Sequence, residues 1–507
     1  MARDPSRRRR KRPADVVSQR PWRRVSNPYK PITVLSADQI EQIHRASLDV
    51  IETLGADIWC DEALDIFGAA GAEVDRPNRH VRIDRAIIED AVAKAPAEFT
   101  LTPRNPARAI AVGGNNINFS IVAGPGFSTD LDRGRRSGTF ADACDLIRLS
   151  QCLEVIHLTG GGPVAATDMA VPIRHLETLR ASLTLTDKVS YGSAFGARRV
   201  NDAVDMTCIA RGVDRAGLAE SPGLIGNINC NSPLRYDGPM TEGIIEFARA
   251  GQPIIITPFT LAGAMAPITL AGALTQQNAE ALIGIALAQL VNPGAPVVYG
   301  GFTSNVDMKS GAPAFGTPEY AKAVLAGGQL ARRYGLPYRS SNVNASNVVD
   351  AQAAYESGMS LWATVMGHCN LMLHGAGWLE GGLTASFEKM IIDAEMLQMM
   401  AAFLEPLEVS DATLGLDAMA EAGPGGHFFG TKHTLERYET AFYAPMVSDW
   451  RNYETWEEHG SLSATQRANR IWKRMLEDYQ QPAMDAAIRE ELDAFVAKRS
   501  EEGGVPI

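Results

Sequence analysis

The sequence predicts an α/β fold, a TIM-type (β/α)8 barrel with an α-rich N-terminal region and a C-terminal helical extension. Short apolar runs alternate with helical patterns, which is typical of parallel strands joined by crossover helices. About eight such units fit between residues 111 and 405, and this is the size of a closed barrel. A doubly wound open sheet shows the same alternation and remains the alternative fold.

Four regions follow from this pattern: a basic tail at 1–30, the α-rich region at 31–110, the barrel at 111–405 and the extension at 406–507. The basic run from Arg7 to Arg12 is typical of a polyanion-binding arm, a targeting signal or a solvated tail. Like charges repel and nothing apolar follows closely, so we expect a disordered tail. The missing apolar stretch also argues against a secretory signal.

The α-rich region contains two helical patterns. ADQIEQIHRASLDVIETLG, from Ala37, has isoleucine and leucine near helical spacing and stops at Gly55. RIDRAIIEDAVAKAP repeats the pattern with Asp84 as a possible cap. Short extended pieces at Phe99 and Ala109 then lead into the main body.

Eight short apolar runs are the predicted barrel strands, each bounded by Gly, Pro, Asn or Ser. They are NFSIVAG from Asn118, VIHLTGG from Val155, KVSYGSAF from Lys188, GLIGNINCN from Gly223, PIIITPF from Pro253, PVVYGGF from Pro296, PYRSSN from Pro337 and NLMLHGAG from Asn370. The uncharged segment 250–279 contains prolines and amide side chains. These make a poor spanning helix, and no membrane span is expected.

The amino-acid composition argues against several classes of binding partner. The net charge of −11 argues against binding to nucleic acid or to an anionic membrane. The six cysteines are scattered without a CxxC pair, which is typical of reduced thiols in a cytoplasmic protein. Beyond residue 405, an aromatic stretch from Tyr438 to Trp456 indicates packing against the barrel or a sister subunit, and we expect a homo-oligomer.

Functional side chains of such barrels follow the carboxyl ends of the strands. No lysine stands there, which disfavours a Schiff-base aldolase, and neither a GxSxG elbow nor a phosphate loop is present. The histidine pairs His368/His374 and His427/His433 lack zinc spacing, so no metal is expected. No catalytic residue is singled out, and the substrate-binding candidates are Tyr191, Phe195, Phe259, Phe302, Arg339, His374, Trp378 and Glu380.

The aromatic candidates indicate a binding site for a quaternary ammonium group. Such a group has no N–H to donate, so proteins hold it against ring faces, at ~0.5–2 kcal/mol per contact. Glu380 would supply a counter-charge. Each ring alone is more typical of barrel core, except Trp378, which lies in a Gly-rich loop. His374 is equally typical of a core histidine bonded to backbone.

Four segments carry a family resemblance. They are TLAGAMAPITLAGALTQQNAE from Thr260, GTPEYAKAVLAGGQLARRYGLP from Gly316, DAQAAYESGMSLWATVMGHCNLMLHGAGWLEGGLTASFEKMIIDAEM from Asp350 and GGHFFGTKHTLERY from Gly425. Together they resemble the trimethylamine methyltransferase family, the amine:corrinoid protein methyltransferases and their relatives without pyrrolysine. The resemblance covers the second half of the barrel and the C-terminal segment closely, the N-terminal region loosely, and not the tail.

The resemblance implies a TIM-type barrel that transfers a methyl group from a small methylated amine to the cobalt of a separate corrinoid protein. The chain itself would then bind no cofactor directly. Founding members carry pyrrolysine, whereas this chain has only standard residues, and the loop from Ser340 to Asn347 is a plausible place for that difference.

Relatives without pyrrolysine resemble enzymes for quaternary amines such as glycine betaine. We therefore predict a quaternary amine as substrate rather than trimethylamine, with Arg339 or His374 meeting a betaine carboxylate. The alternatives are another barrel enzyme of the lyase or hydrolase class, a binding protein for methylated osmolytes, and an adaptor that acts through the basic tail.

Overall fold

The computed structural model describes residues 17–505. The basic run from Arg7 to Arg12 lies outside the described residues.

The second half of the predicted basic tail packs against the body of the protein. Arg20 and Arg23 both pair with Glu405, and the Arg23 Nη2 donates to the carbonyl of Ala401 at 2.7 Å. Strand β1 (Val25–Ser26) pairs antiparallel with a strand that begins at Asn116. The expected disorder is therefore wrong for residues 17–30, because these arginines find acceptors on the folded chain.

The N-terminal region forms helices and a small sheet. The predicted helices are present, with Asp84 capping the second through the amide of Ala86, while the sheet was not expected. The elements are α1 (Ala37–Asp49), β2 (Ala56–Ile58), α2 (Asp61–Ala69), β3 (Glu73–Asp75), β4 (His80–Arg82), α3 (Arg85–Val92), β5 (Glu98–Leu101) and β6 (Ile110–Gly113).

The main body alternates strands and helices. Its strands are β7 (Asn116–Ile121), β8 (Phe127–Thr129), β9 (Arg136–Ser137), β10 (Ser190–Tyr191), β11 (Leu224–Ile228), β12 (Arg235–Tyr236), β13 (Ile254–Ile256), β14 (Phe259–Ala262), β15 (Val297–Gly300), β16 (Phe302–Val306), β17 (Pro313–Ala314), β18 (Tyr338–Ser341), β19 (Leu371–Ala376), β20 (Trp378–Leu379) and β21 (Thr384–Ser386). Its helices are α4 (Phe140–Cys152), α5 (Val171–Leu185), α6 (Ala197–Arg211), α7 (Arg215–Glu220), α8 (Gly238–Arg249), α9 (Leu270–Val291), α10 (Pro318–Arg333), α11 (Ala351–Met366) and α12 (Phe387–Phe403).

The central sheet is parallel apart from its edge strand β1. Its order is β1-β7-β19-β18-β15-β13-β11-β10, and the pairs from β7 through to β10 are all parallel. The predicted strand at Val155 is reduced to Leu158, which makes single parallel bridges to Ser120 and to Val189. Leu158 therefore lies between β7 and the residue that precedes β10.

Alternating strand residues divide the core into two clusters. Ile255 packs with Ile225, Val298 and Leu371, whereas its neighbour Ile254 packs in the larger cluster with the surrounding helices. Successive strand residues point to opposite faces, which produces this division. The antiparallel hairpin β5–β6 adds Leu101, Ile110 and Val112 to the cluster that contains Ile255, near the amino ends of the strands.

Two additional small sheets lie at the carboxyl ends of the central strands. One contains β14, β16 and β17, and the other contains β20, β21, β8 and β9. Neither was predicted, because each joins segments from different loops. Among residues 17–505, no helix is long and apolar enough to cross a membrane.

The C-terminal region is helical, as the sequence predicts, and two of its helices pack on the main body. It contains α13 (Asp411–Leu414), α14 (Leu416–Ala422), α15 (Lys432–Arg437), α16 (Tyr453–Glu458), α17 (Ala464–Glu477) and α18 (Ala486–Glu501). Helix α17 packs on α4 and α12, and α18 packs on α5 and α6. Much of the aromatic stretch instead faces outwards, since Phe442 is 84% exposed and Trp450 is 71% exposed.

Candidate substrate-binding site

A cavity of about 710 Å³ lies at the carboxyl ends of the parallel strands. This volume is in the range of small-molecule sites. Seven of the eight predicted site residues line it: Tyr191, Phe195, Phe259, Phe302, Arg339, His374 and Trp378. The rule that functional side chains follow strand ends therefore brings these seven together in space.

Aromatic rings form a contiguous cluster on one side of the cavity. Phe302 is central: its ring centroid lies 5.1 Å from that of Phe259, 5.7 Å from Phe315 and 6.2 Å from Trp378. His374 and Trp378 are the closest pair, with centroids 4.2 Å apart. Such a cluster offers ring faces, against which an alkylated ammonium group binds.

Arg339 is buried against this cluster, and no carboxylate within residues 17–505 forms an ion pair with it. It is 2% exposed, and its guanidinium carbon lies 5.1 Å from the Phe302 ring centroid. Its Nε and Nη1 have no hydrogen-bond partner among the described residues. Burial lowers the pKa of Arg339, but a guanidinium keeps its proton in proteins. Two buried nitrogens of this cation therefore lack a hydrogen-bond acceptor among the described residues.

His374 is neutral near neutral pH. Burial, and secondarily the charge of Arg339, lower the pKa of His374 well below its ordinary value. The Nδ1 of His374 lies 3.1 Å from the hydroxyl oxygen of Ser341. Of the two predicted carboxylate partners, Arg339 therefore carries the permanent charge.

Tyr191 has a buried hydroxyl without a partner among the described residues, and burial raises the pKa of its phenol. The hydroxyl is therefore protonated, so it remains able to donate a hydrogen bond to a ligand.

Glu380 does not line the cavity, so its prediction as a counter-charge is wrong. Both carboxylate oxygens of Glu380 accept from the Nε of Arg135 at 2.9 Å. Glu380 has φ +54°, a left-handed backbone conformation, and its carboxylate meets an arginine from a different loop. Phe195 lies at the mouth of the cavity and is 46% exposed, so it contributes to the rim rather than to the ring cluster.

Several residues that line the cavity were not predicted from the sequence. Phe315 belongs to the loop after β17, and Arg174 and His175 lie on α5 rather than after a strand. The His175 Nε2 donates to Asp202 at 2.9 Å. The only signal for Phe315 is an aromatic residue just before the cap of α10, which is a weak one. Helix residues cannot be found by a rule that inspects strand ends.

The charges that line the cavity have one sign. Within residues 17–505, the lining contains Arg174, Arg199 and Arg339 and neither aspartate nor glutamate. No group of three metal-binding side chains was found in the described part of the chain. The cavity therefore combines aromatic faces with positive charge, an arrangement suited to a ligand with both an apolar cationic end and an anionic end.

The fold and the cavity define an α/β protein that binds a small molecule at the carboxyl ends of its parallel strands. A family model described as trimethylamine methyltransferase matches residues 2–504. The chain belongs to the trimethylamine methyltransferase family and is an enzyme of the methyltransferase class.

Named relatives and a solved structure are consistent with this assignment. The chain is 38% identical to glycine betaine methyltransferase of Desulfitobacterium hafniense, over 93% of this chain and 98% of that protein. It is 32% identical to trimethylamine methyltransferase MttB of the same species, over 93% and 94% of the two chains. The crystal structure of monomethylamine methyltransferase of Methanosarcina barkeri superposes with a TM-score of 0.50 at 12% identity, covering 89% and 90% of the chains. That likeness concerns the fold alone.

Proposed function

We propose that this methyltransferase demethylates a quaternary ammonium zwitterion of the betaine class and passes the methyl group to the cobalt of a corrinoid held by a separate protein. The observation that carries the substrate class is Arg339, a buried cation beside the ring cluster whose Nε and Nη1 have no partner in the described part of the chain. A betaine carboxylate would accept from Arg339 while its trimethylammonium group packs against Phe302 and Trp378.

The chemistry that falls to this chain is mainly positioning. A quaternary nitrogen leaves as a neutral tertiary amine, so the transfer requires neither a base nor an acid from the protein. Reduced cobalt supplies the nucleophile when the corrinoid protein docks. Arg339 and the rings hold the substrate with one methyl group towards the mouth of the cavity, which replaces the search for a reactive geometry with a bound one.

We infer that the parallel pairings are those of a full (β/α)8 barrel whose second strand is reduced to Leu158. The bridges from Leu158 to both neighbours support this inference. The extensions at both ends then surround a single barrel. All six cysteines are unpaired, which supports a cytoplasmic location, where thiols stay reduced.

The rim of the cavity supports docking of the corrinoid protein. Val171, Phe195, Ile268, Met308 and Leu383 are large apolar residues with exposed side chains. Val171, the first residue of α5, and Phe195 line the cavity. Ile268, Met308 and Leu383 follow β14, β16 and β20, which belong to the small sheets at the same ends of the strands. Exposed apolar residues that converge on one opening are typical of a protein interface. Changing both Ile268 and Met308 to aspartate is expected to weaken corrinoid-protein binding and leave betaine affinity unchanged.

The C-terminal region supports self-association. Leu407, Phe429 and Phe442 are at least 84% exposed and belong to the segment between α12 and α16. We propose that this segment packs on a second copy of the chain. Sedimentation analysis of the Phe429→Asp/Phe442→Asp variant would give a smaller species than the native protein; an unchanged size would refute the proposal.

The function is tested by mixing the purified protein with a reduced corrinoid protein and each of glycine betaine, choline and trimethylamine. The absorbance change of cobalt methylation is followed. We expect methylation with glycine betaine. Methylation with trimethylamine and with no quaternary amine would refute the proposed substrate. Tight betaine binding without methylation would show that betaine occupies the cavity but is not the methyl donor.

A further inference from the structure

The segment from His374 to Gly382 has a strained backbone. His374 and Glu380 both have φ +54°, and Gly377 has φ +101°. Residues other than glycine rarely adopt such values, and they persist only where the surrounding structure determines them. This segment brings both His374 and Trp378 to the cavity.

Side chains from behind the cavity hold this segment by its backbone. Asp393 accepts from the amide of Gly377 at 2.9 Å. The side-chain amide of Asn342 donates to the carbonyl of Gly375 at 3.0 Å. Asn344 donates to the carbonyl of Trp378 at 2.8 Å, and the indole N–H of Trp378 donates in return to the carbonyl of Asn344 at 3.3 Å.

Asp393 differs from the two asparagines because it belongs to a fully buried ion pair. The side chains of Asp393 and Lys389 are both 0% exposed, and the Lys389 ammonium also donates to the hydroxyl of Ser357 at 2.8 Å. Burial raises the pKa of Asp393, and the neighbouring Lys389 opposes the rise. The free-energy cost of desolvating the two charges offsets most of the attraction between them. The ion pair therefore contributes little to the free energy of unfolding.

The geometry of the pair connects three parts of the molecule. Ser357 belongs to α11, Lys389 and Asp393 lie one turn apart on α12, and Gly377 belongs to the strained segment. A displacement of Asp393 would be transmitted through the amide of Gly377 to the ring of Trp378, one residue further along the chain.

We propose that Asp393, held in place by Lys389, is a positioning residue for substrate: it fixes the backbone of residues 374–382 and thereby the His374–Trp378 ring pair in the cavity. The role in substrate binding rests on the proposed function, whereas the effect on Trp378 does not. The charge of the pair provides the directional hydrogen bond that an apolar pair of equal volume would lack.

The test uses the full chain labelled with 5-fluorotryptophan. Seven tryptophans are present, and the Trp378→Phe variant identifies the fluorine resonance of Trp378. In ligand-free Asp393→Asn we expect that resonance to shift or broaden more than the others, because the variant leaves Lys389 without its counter-charge. We further expect the Kd for glycine betaine to rise at least about tenfold, roughly 1.4 kcal/mol.

Glu395 offers a matched control on the same helix. Its carboxylate is also buried and accepts two backbone amides, those of Met446 at 2.6 Å and Val447 at 2.9 Å. It holds the C-terminal region instead of the cavity. Glu395→Gln is expected to lower the urea midpoint as Asp393→Asn does, and to leave the Trp378 resonance and the betaine affinity as in the native protein.

The milder Ser357→Ala variant addresses a failure of Asp393→Asn to fold. It removes one partner of Lys389 together with a longer contact from the Asn344 side-chain amide at 3.4 Å, so Asn344→Ala is measured beside it to separate the two routes to Trp378. Ser357→Ala should move the Trp378 resonance in the same direction by a smaller amount. An unmoved Trp378 resonance in a folded Asp393→Asn protein, or in Ser357→Ala when the first variant does not fold, would overturn the proposal. If the resonance moves but the native protein binds no betaine, the positioning role stands and the proposed substrate fails.

Discussion

Replacement of Arg339 by methionine is expected to weaken betaine binding and at the same time to stabilise the unliganded protein. The two effects have one cause. In the free protein the guanidinium is 2% exposed with Nε and Nη1 unpaired among the described residues, so the chain bears the cost of a desolvated cation. A betaine carboxylate would supply the missing acceptors.

The magnitude follows from the two unpaired nitrogens of Arg339, each counted as the donor of one hydrogen bond to the substrate carboxylate. A hydrogen bond to a charged group contributes roughly 1.5–3 kcal/mol, so losing two of them corresponds to roughly 3–6 kcal/mol and on the order of 10²–10⁴ in Kd. Removing buried unsatisfied donors from the free protein gains about 1–3 kcal/mol. The lost contact with the Phe302 ring, which is desolvated here, opposes this gain by about 2 kcal/mol. Relief of the desolvation penalty of the buried cation itself adds several kcal/mol, so a net increase in stability remains.

Titration calorimetry with glycine betaine and choline measures the first effect, and urea unfolding measures the second. Choline lacks the carboxylate, so its affinity should not fall. Arg199→Met is the control, because Arg199 also lines the cavity but is partly exposed. Equal losses for betaine and choline in Arg339→Met, or a less stable protein with native betaine affinity, would refute the reasoning.

Three further outcomes are expected. Trp378→Leu should weaken the binding of glycine betaine by about 0.5–2 kcal/mol in calorimetry. The binding of 3,3-dimethylbutanoate, a carboxylate in which a neutral tert-butyl group replaces the trimethylammonium group, should weaken by less; equal losses would exclude a cation–π contact. Glu380→Gln should leave betaine affinity unchanged, since its carboxylate pairs with Arg135, and a clear loss would restore the counter-charge role. Burial lowers the pKa of His157 to about 4. The imidazole of His157 is therefore protonated near pH 6.5 in the unfolded chain and only near pH 4 in the folded chain. Its contribution to the free energy of unfolding, about 3 kcal/mol, is complete above pH 6.5 and is lost as the pH falls to 4. In urea unfolding, the stability of His157→Gln should therefore depend less on pH than that of the native protein. The same pH dependence in both proteins would contradict this expectation.

The alternation of strands and helices was predictable because its signals are local. The run PIIITPF became Ile254–Ile256, and the cap at Asp84 became a capped helix. VIHLTGG has the same apolar pattern, yet within it the structure forms β-bridges only at Leu158. The parallel pairing of Phe259–Ala262 with Phe302–Val306 depends on two loops meeting in space, and no local pattern records that meeting.

The residues that line the cavity were predictable from the sequence where the sheet topology alone places them there. Parallel strands present their carboxyl ends on one side, so residues as distant in sequence as Tyr191 and Trp378 line one cavity. Glu380 failed because its side-chain direction depends on a left-handed backbone and on Arg135 from another loop. Arg174 was missed because it lies on α5, beside the short segment around Leu158.

The charge of the cavity is opposite to that of the chain. The whole sequence has a net charge of −11, which by itself favours a cationic ligand at long range. At the site, Arg339 stands beside the rings and the described lining contains arginines without carboxylates. A methylammonium ion has no carboxylate to neutralise the positive charge of the cavity, and choline has only a hydroxyl group. A betaine cancels its charge internally, so the cavity should rank glycine betaine above choline and choline above trimethylammonium, whereas the net charge of the chain alone would favour either cation over the zwitterion.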